Sequence, residues 1–93
     1  MTIGLCTLEF HLPGSRNLKQ KRKFLNSLRT RICNRYNVAL AEIDCQDLWQ
    51  RSVVGIVSIS NDRQVLDSTF QKILHDAEGR TDAVLITFNM EFL

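Results

Sequence analysis

Glu9 and His11 stand two residues apart in an alternating stretch, a spacing at which a carboxylate can polarise an imidazole for proton transfer. The same two residues also make an ordinary hydrogen-bonded pair on the rim of a strand, and no other residue completes a catalytic set. The second histidine, His75, is remote from the first. Cys6, Cys33 and Cys45 are odd in number, widely spaced and without a C-x-x-C pair. Neither a metal site nor a disulfide framework follows from them. The chain has no G-x-x-x-x-G-K-[ST] phosphate loop and no nucleophile elbow. The expectation is a protein with no catalytic residues, no metal and no cofactor.

A second kind of chemistry is better supplied. Residues 1–36 hold eight lysines and arginines (Arg16, Lys19, Lys21, Arg22, Lys23, Arg29, Arg31 and Arg35) against one acid, Glu9. Residues 37–93 hold four basic and nine acidic residues. The net charge of +2 therefore hides a basic segment joined to an acidic one. Much of the basic charge follows Pro13-Gly14-Ser15, a turn ahead of a helical pattern. Cations, unpaired backbone N–H groups and the positive end of a helix dipole together form a place for phosphate.

The elements that position these residues can be read from periodicity. Residues 3–12 alternate as a half-buried strand, with Cys6, Leu8, Phe10 and Leu12 on one face. Asn17 caps a helix over 18–35, with Gln20 completing a capping box and Leu18, Leu25, Leu28, Ile32 and Tyr36 as its apolar stripe, Phe24 on the flank. Strands follow over 38–43 and 52–60, joined by a connection over 44–51. Asn61, Asp62 and Gln64 start a second helix whose stripe is Leu66, Phe70, Ile73 and Ala77, and Gly79 stands where a left-handed terminal glycine would. In the last strand, Val84, Ile86, Phe88, Met90 and Phe92 alternate with Leu85, Thr87, Asn89 and Glu91. The order β-α-β-β-α-β predicts one α+β domain over 1–93, a ferredoxin-like sandwich of a four-stranded antiparallel sheet with two helices on one face. A rearranged sheet built from the same elements is the alternative.

Leu8-Glu9-Phe10-His11-Leu12-Pro13-Gly14-Ser15, continued by Leu18-Lys19-Gln20-Lys21-Arg22, resembles the opening of the YlxP-like family of small bacterial proteins. So does Arg35-Tyr36-Asn37-Val38-Ala39-Leu40-Ala41-Glu42, followed by Gln46-Asp47-Leu48-Trp49-Gln50-Arg51. The resemblance implies a ferredoxin-like fold. Genes of that family often sit beside those for translation initiation and ribosome maturation, which implies a link to RNA or the ribosome by association. Cys45 departs from the family pattern, which has a small residue or histidine there.

In this topology one edge of the sandwich gathers the end of the first strand, the start of the first helix, the 44–51 connection and the exit of the second helix. The candidate nucleic-acid contacts on it are Arg16, Lys19, Arg22, Lys23, Trp49, Arg51 and Arg80, with His11, Ser15 and Gln50 nearby. Trp49 is placed either to stack a base or to cover the core. Lys21 falls inside the apolar stripe and must reach the rim or pair with an acid such as Asp47.

The uncovered sheet face is expected to show Leu5, Thr7, Glu9 and His11 with Val54, Ile56 and Ser58. It carries no stacking aromatic, so RNA contact is assigned to the edge and the first helix. Leu5, Leu40, Val54, Ile56 and Leu85 form a candidate interface for a homodimer or another protein. The leading expectation is a non-enzymatic accessory protein for RNA or a ribosomal particle. A protein–protein module is the alternative, with a small-molecule ligand left open. The opening residues do not look like a secretory signal, no apolar run is long enough for a membrane span, and unpaired cysteines point to the cytoplasm.

Overall fold

A computed structural model describes residues 1–93. The elements run β1 (Thr2–His11), α1 (Leu18–Arg35), β2 (Ala39–Asp44), β3 (Arg51–Ser60), α2 (Arg63–Glu78) and β4 (Val84–Phe92). The strands form one sheet in the order β2-β3-β1-β4, with every pairing antiparallel. The architecture is the ferredoxin-like α+β sandwich.

Local chemistry sets the helix boundaries. The Asn17 side-chain oxygen accepts from the Gln20 N–H at 2.8 Å, satisfying one of the free donors of α1. Gln20 reaches back to the N–H of Arg16 at 2.6 Å, one residue before the donor of a strict capping box. Asp62 caps α2 through the Gln64 N–H at 2.9 Å. Gly79 ends α2 at φ −80°, so its lack of a Cβ is not needed for a left-handed turn. Gly4 has a firmer requirement: a Cβ there would lie 2.7 Å from the Phe70 ring. The glycine lets α2 settle directly on β1.

Cys6, Leu8 and Phe10 point from β1 into the core, where Phe24, Leu25, Leu28 and Ile32 of α1 meet Phe70, Ile73 and Ala77 of α2. Phe10 and Phe24 pack edge to face with centroids 5.3 Å apart. Burial pushes the Cys6 thiol up to about 12, so it stays protonated and unreactive.

The register corrects the expected interface. Leu8 lies opposite Val54 and Cys6 opposite Ile56, so Val54 and Ile56 face the helices and are fully buried. Leu40 lies opposite Ile56 and joins the same core. The run Ser52 to Ile56 is buried or half-buried at every position, so alternation does not reveal which of its faces meets the helices. In β4 a bulge opposite Glu9 and Phe10 pairs Phe10 with Leu85 and Glu9 with Thr87. Leu85 thereby packs against the core, while Val84 and Ile86 are exposed. Of the five expected interface residues only Leu5 lies on the uncovered face. Its neighbours there are Val53, Val57 and Ile59 of β3 and Ala39, Ala41 and Ile43 of β2.

Candidate nucleic-acid interface

The site begins with a lysine that binds nothing external. The Lys21 side chain is 2% exposed, and its ammonium lies 2.9 Å from a Glu42 carboxylate oxygen. It donates to the carbonyls of Cys45 at 2.7 Å, Gln46 at 3.1 Å and Arg51 at 3.3 Å. The partner acid is Glu42, not Asp47, because Glu42 projects from β2 on the helix side of the sheet. Ser52 donates to the same Glu42 oxygen at 2.6 Å. A buried charge is tolerated only when paired and hydrogen-bonded, and here both conditions hold. The consequence is positional: Lys21 ties the β2–β3 connection to the first turns of α1. Within that connection Cys45 adopts φ 61°, the one non-glycine residue of the chain in the left-handed region.

A second set of bonds ties the same connection to the β1–α1 turn. The Gln50 amide donates to the carbonyls of Ser15 at 3.1 Å and Pro13 at 3.4 Å. The Gln50 carbonyl accepts from the Leu12 N–H at 2.9 Å and lies 3.1 Å from His11 Nδ1. Strand end, helix start and connection therefore meet at one edge, as the topology predicts. His11 is engaged with Gln50 and Glu9 with Arg51, so the two do not form the acid–base pair or the rim pair that their spacing suggests.

Trp49 is 53% exposed and takes no part in the core, which rules out a lid. With Leu48 it stands out from the connection, beside a shallow hollow also lined by His11, Asp47, Gln50 and Arg51.

The seven candidate contacts divide. Arg16, Lys19, Arg22 and Lys23 are exposed and form no ion pair. Arg51 turns away to the sheet face and pairs with Glu9. Arg80 is bound by Asp82 at 2.7 Å and lies over the Phe24 ring, 5.0 Å from its centroid. The Arg80 guanidinium holds the Asp82 carboxyl below its ordinary range. Ser15 is buried, its hydroxyl donating to the Asn17 carbonyl at 3.3 Å, so it is not available to a ligand.

The α1 residues keep their charge free because of where the helix puts them. At ~100° per residue, Lys19 and Lys23 lie opposite the buried stripe of Lys21, Phe24, Leu25, Leu28 and Ile32, and Arg22 lies on its flank. All eighteen residues of α1 include no acid, so no partner is available along the helix itself. Two further arginines extend the surface. Arg29 leans onto the edge of β2, its Nε donating to the Leu40 carbonyl at 3.5 Å. Arg31 borders a surface groove between α1 and the end of α2, whose lining includes Ser27, His75 and Arg80 together with the acids Asp76 and Asp82. At the far end of α1, Arg35 and the Tyr36 hydroxyl both donate to one Asp76 oxygen at 3.1 Å. Loss of solvent around Tyr36, then that hydrogen bond, raises its hydroxyl above the ordinary range.

Fold and surface define a ferredoxin-like α+β protein with a basic, acid-free first helix over a sheet whose opposite face is bare. The matching family model, a protein of unknown function (DUF503), covers residues 3–90. The chain is also similar to the uncharacterized protein YlxP of Bacillus subtilis (strain 168). Identity is 36% over 72 residues, 77% of this chain and 78% of that protein. This chain belongs to the DUF503, or YlxP-like, family.

Proposed function

We propose that this protein is a non-enzymatic accessory factor that binds RNA, free or within a ribosomal particle, through the outer face of α1 and the turn before it. The observation that carries the reading is the group of cations without carboxylate partners: Arg16, Lys19, Arg22 and Lys23, extended by Arg31. Arg16 just before α1 and Lys19 in its first turn sit where the helix dipole disfavours positive charge and no acid offsets it. A polyanion relieves that repulsion. Phosphate contacts fix a protein on nucleic acid without reading sequence, and the exposed Trp49 adds a stacking surface for an unpaired base. The sheet is not the binding surface, because its uncovered face carries no aromatic and ends in Glu9 and Glu91.

An RNA-binding role fits the cytoplasm, and three cysteines without a disulfide fit its reducing conditions. No helix is long and apolar enough to cross a membrane.

Fluorescence anisotropy with a structured RNA, titrated at rising salt, tests the reading. Four phosphate contacts give a log–log slope of about −3, so affinity falls about 60-fold when salt rises fourfold. No binding at low salt, or binding indifferent to salt, rejects it.

A further inference from the structure

We infer that the uncovered sheet face joins two copies of this chain, packed sheet to sheet about a two-fold axis. The inference does not rest on RNA binding, which uses the opposite side of the sandwich.

On this face Ile3 and Leu5 of β1, Val53, Val57 and Ile59 of β3 and Ala39, Ala41 and Ile43 of β2 form an apolar strip, bordered by Thr7 and Glu9 of β1 and by Thr87, Asn89 and Glu91 of β4. Ile59 is 57% exposed, Ile43 51% and Val57 42%. Side chains of this kind on two packed helices would be core; here nothing in the chain covers them. With strands ~4.8 Å apart and ~3.3 Å of rise per residue, the strip projects to roughly 400 Å², or about 600 Å² of accessible surface per copy once corrugation is counted. Two such strips bury about 1,200 Å², the lower bound of specific, stable interfaces.

Three features make a second copy the occupant. A two-fold contact requires one surface to carry both projections and the hollows that receive them. This strip does: Ala39, Ala41 and Gly55 floor an apolar hollow walled by Leu5, Ile43 and Val57, and Ile59 projects beside it. Charge favours the same answer. Arg51 and Glu9, at the margin, neutralise each other within one chain, which leaves Glu91, beside Leu5 on β4, as the charge that the two copies must keep at the solvated rim. The basic surface of α1 repels its own copy, which excludes helix-to-helix association and directs the two copies to meet through their sheets. Such a dimer leaves both α1 faces outward.

Light scattering after size exclusion, on nuclease-treated protein from low micromolar to a few hundred micromolar, should give twice the 10.7 kDa chain mass. Val57→Glu and Ile59→Glu each place like charges across the interface and should weaken the dimer on the order of 100-fold. Both positions are already solvated, so circular dichroism spectra should match that of the parent protein. A chain mass at every concentration overturns the inference and assigns the strip to another partner or to water. A dimer that both substitutions leave intact also overturns it, because another surface then makes the contact. The RNA titration reads neither outcome, so one reading can fail while the other stands.

Discussion

The two broad surfaces of this sandwich treat charge in opposite ways. On the bare sheet face the one arginine has been neutralised by the glutamate beside it, and the middle of the face is an aliphatic patch of β1, β3 and β2. At the start of α1, Arg16, Lys19, Arg22 and Lys23 form no ion pair, whereas Arg35 at its far end is bound to Asp76. A surface that meets an apolar partner must have its charges paired beforehand, because desolvating an isolated ion is costly. A surface that meets a polyanion needs the reverse. Lys21 shows that the basic helix is not uniform: one of its cations, turned inward, became a structural strut with Glu42 as its partner.

The contrast can be broken experimentally. The combined replacement Lys19→Glu, Arg22→Glu, Lys23→Glu should lower RNA affinity at least 100-fold, with little change in melting temperature. Arg51→Gln should leave affinity within about twofold, because its charge is already neutralised. Equal losses from both would show that pairing does not separate the two surfaces.

Lys21→Met should be the most damaging single change to stability. It leaves Glu42 without its counter-charge and three carbonyls without their donor, and a loss of about 3 kcal/mol is expected in urea unfolding. Adding Glu42→Gln should recover part of that loss. A mild effect of Lys21→Met would mean that the strut is dispensable and that Lys21 belongs with the outer cations.

Gly4→Ala should cost about 1–3 kcal/mol, because the new methyl collides with Phe70 and forces the α2–β1 contact apart. The opposite result, unchanged stability, would show that the ring swings aside freely. Native protein at pH 8 should leave Cys6 unmodified by a thiol reagent, while unfolded protein exposes it. Rapid labelling of Cys6 would contradict the closed core.

The smallest effect concerns Asp82. Its carboxyl is held below the ordinary range, so its contribution is present above the unfolded-state value and is lost as pH falls through the folded one. Asp82→Asn should therefore lower stability slightly at neutral pH and make no difference in strong acid. The side chain is half exposed and screened by water, so the effect is small.

The element order was legible in the sequence because each element repeats its own period long enough to be read. The ten-residue alternation of β1 and the Leu25, Leu28, Ile32 spacing of α1 are local facts that need no partner to be recognised. The edge that joins Trp49 to the start of α1 followed from topology, and the free charge of Arg16, Lys19, Arg22 and Lys23 followed from a stretch without acids. The facing of β3 did not follow. A strand apolar on both sides gives the same pattern whichever face is buried, so only its register with β1 placed Val54 and Ile56 in the core and Val57 and Ile59 outside.

Composition and periodicity by themselves determined the α+β order, the core stripes and the excess of cations in the first third of the chain. Tertiary structure alone decided which of the other cations were neutralised: Arg51 met Glu9 across two strands, Arg80 met Asp82 beyond the helix end, and Lys21 met Glu42 beneath the sheet. The physical reason is range. Periodicity is written along the chain, whereas the neutralisation of a charge depends on which strand or loop the fold brings within a few ångströms of it.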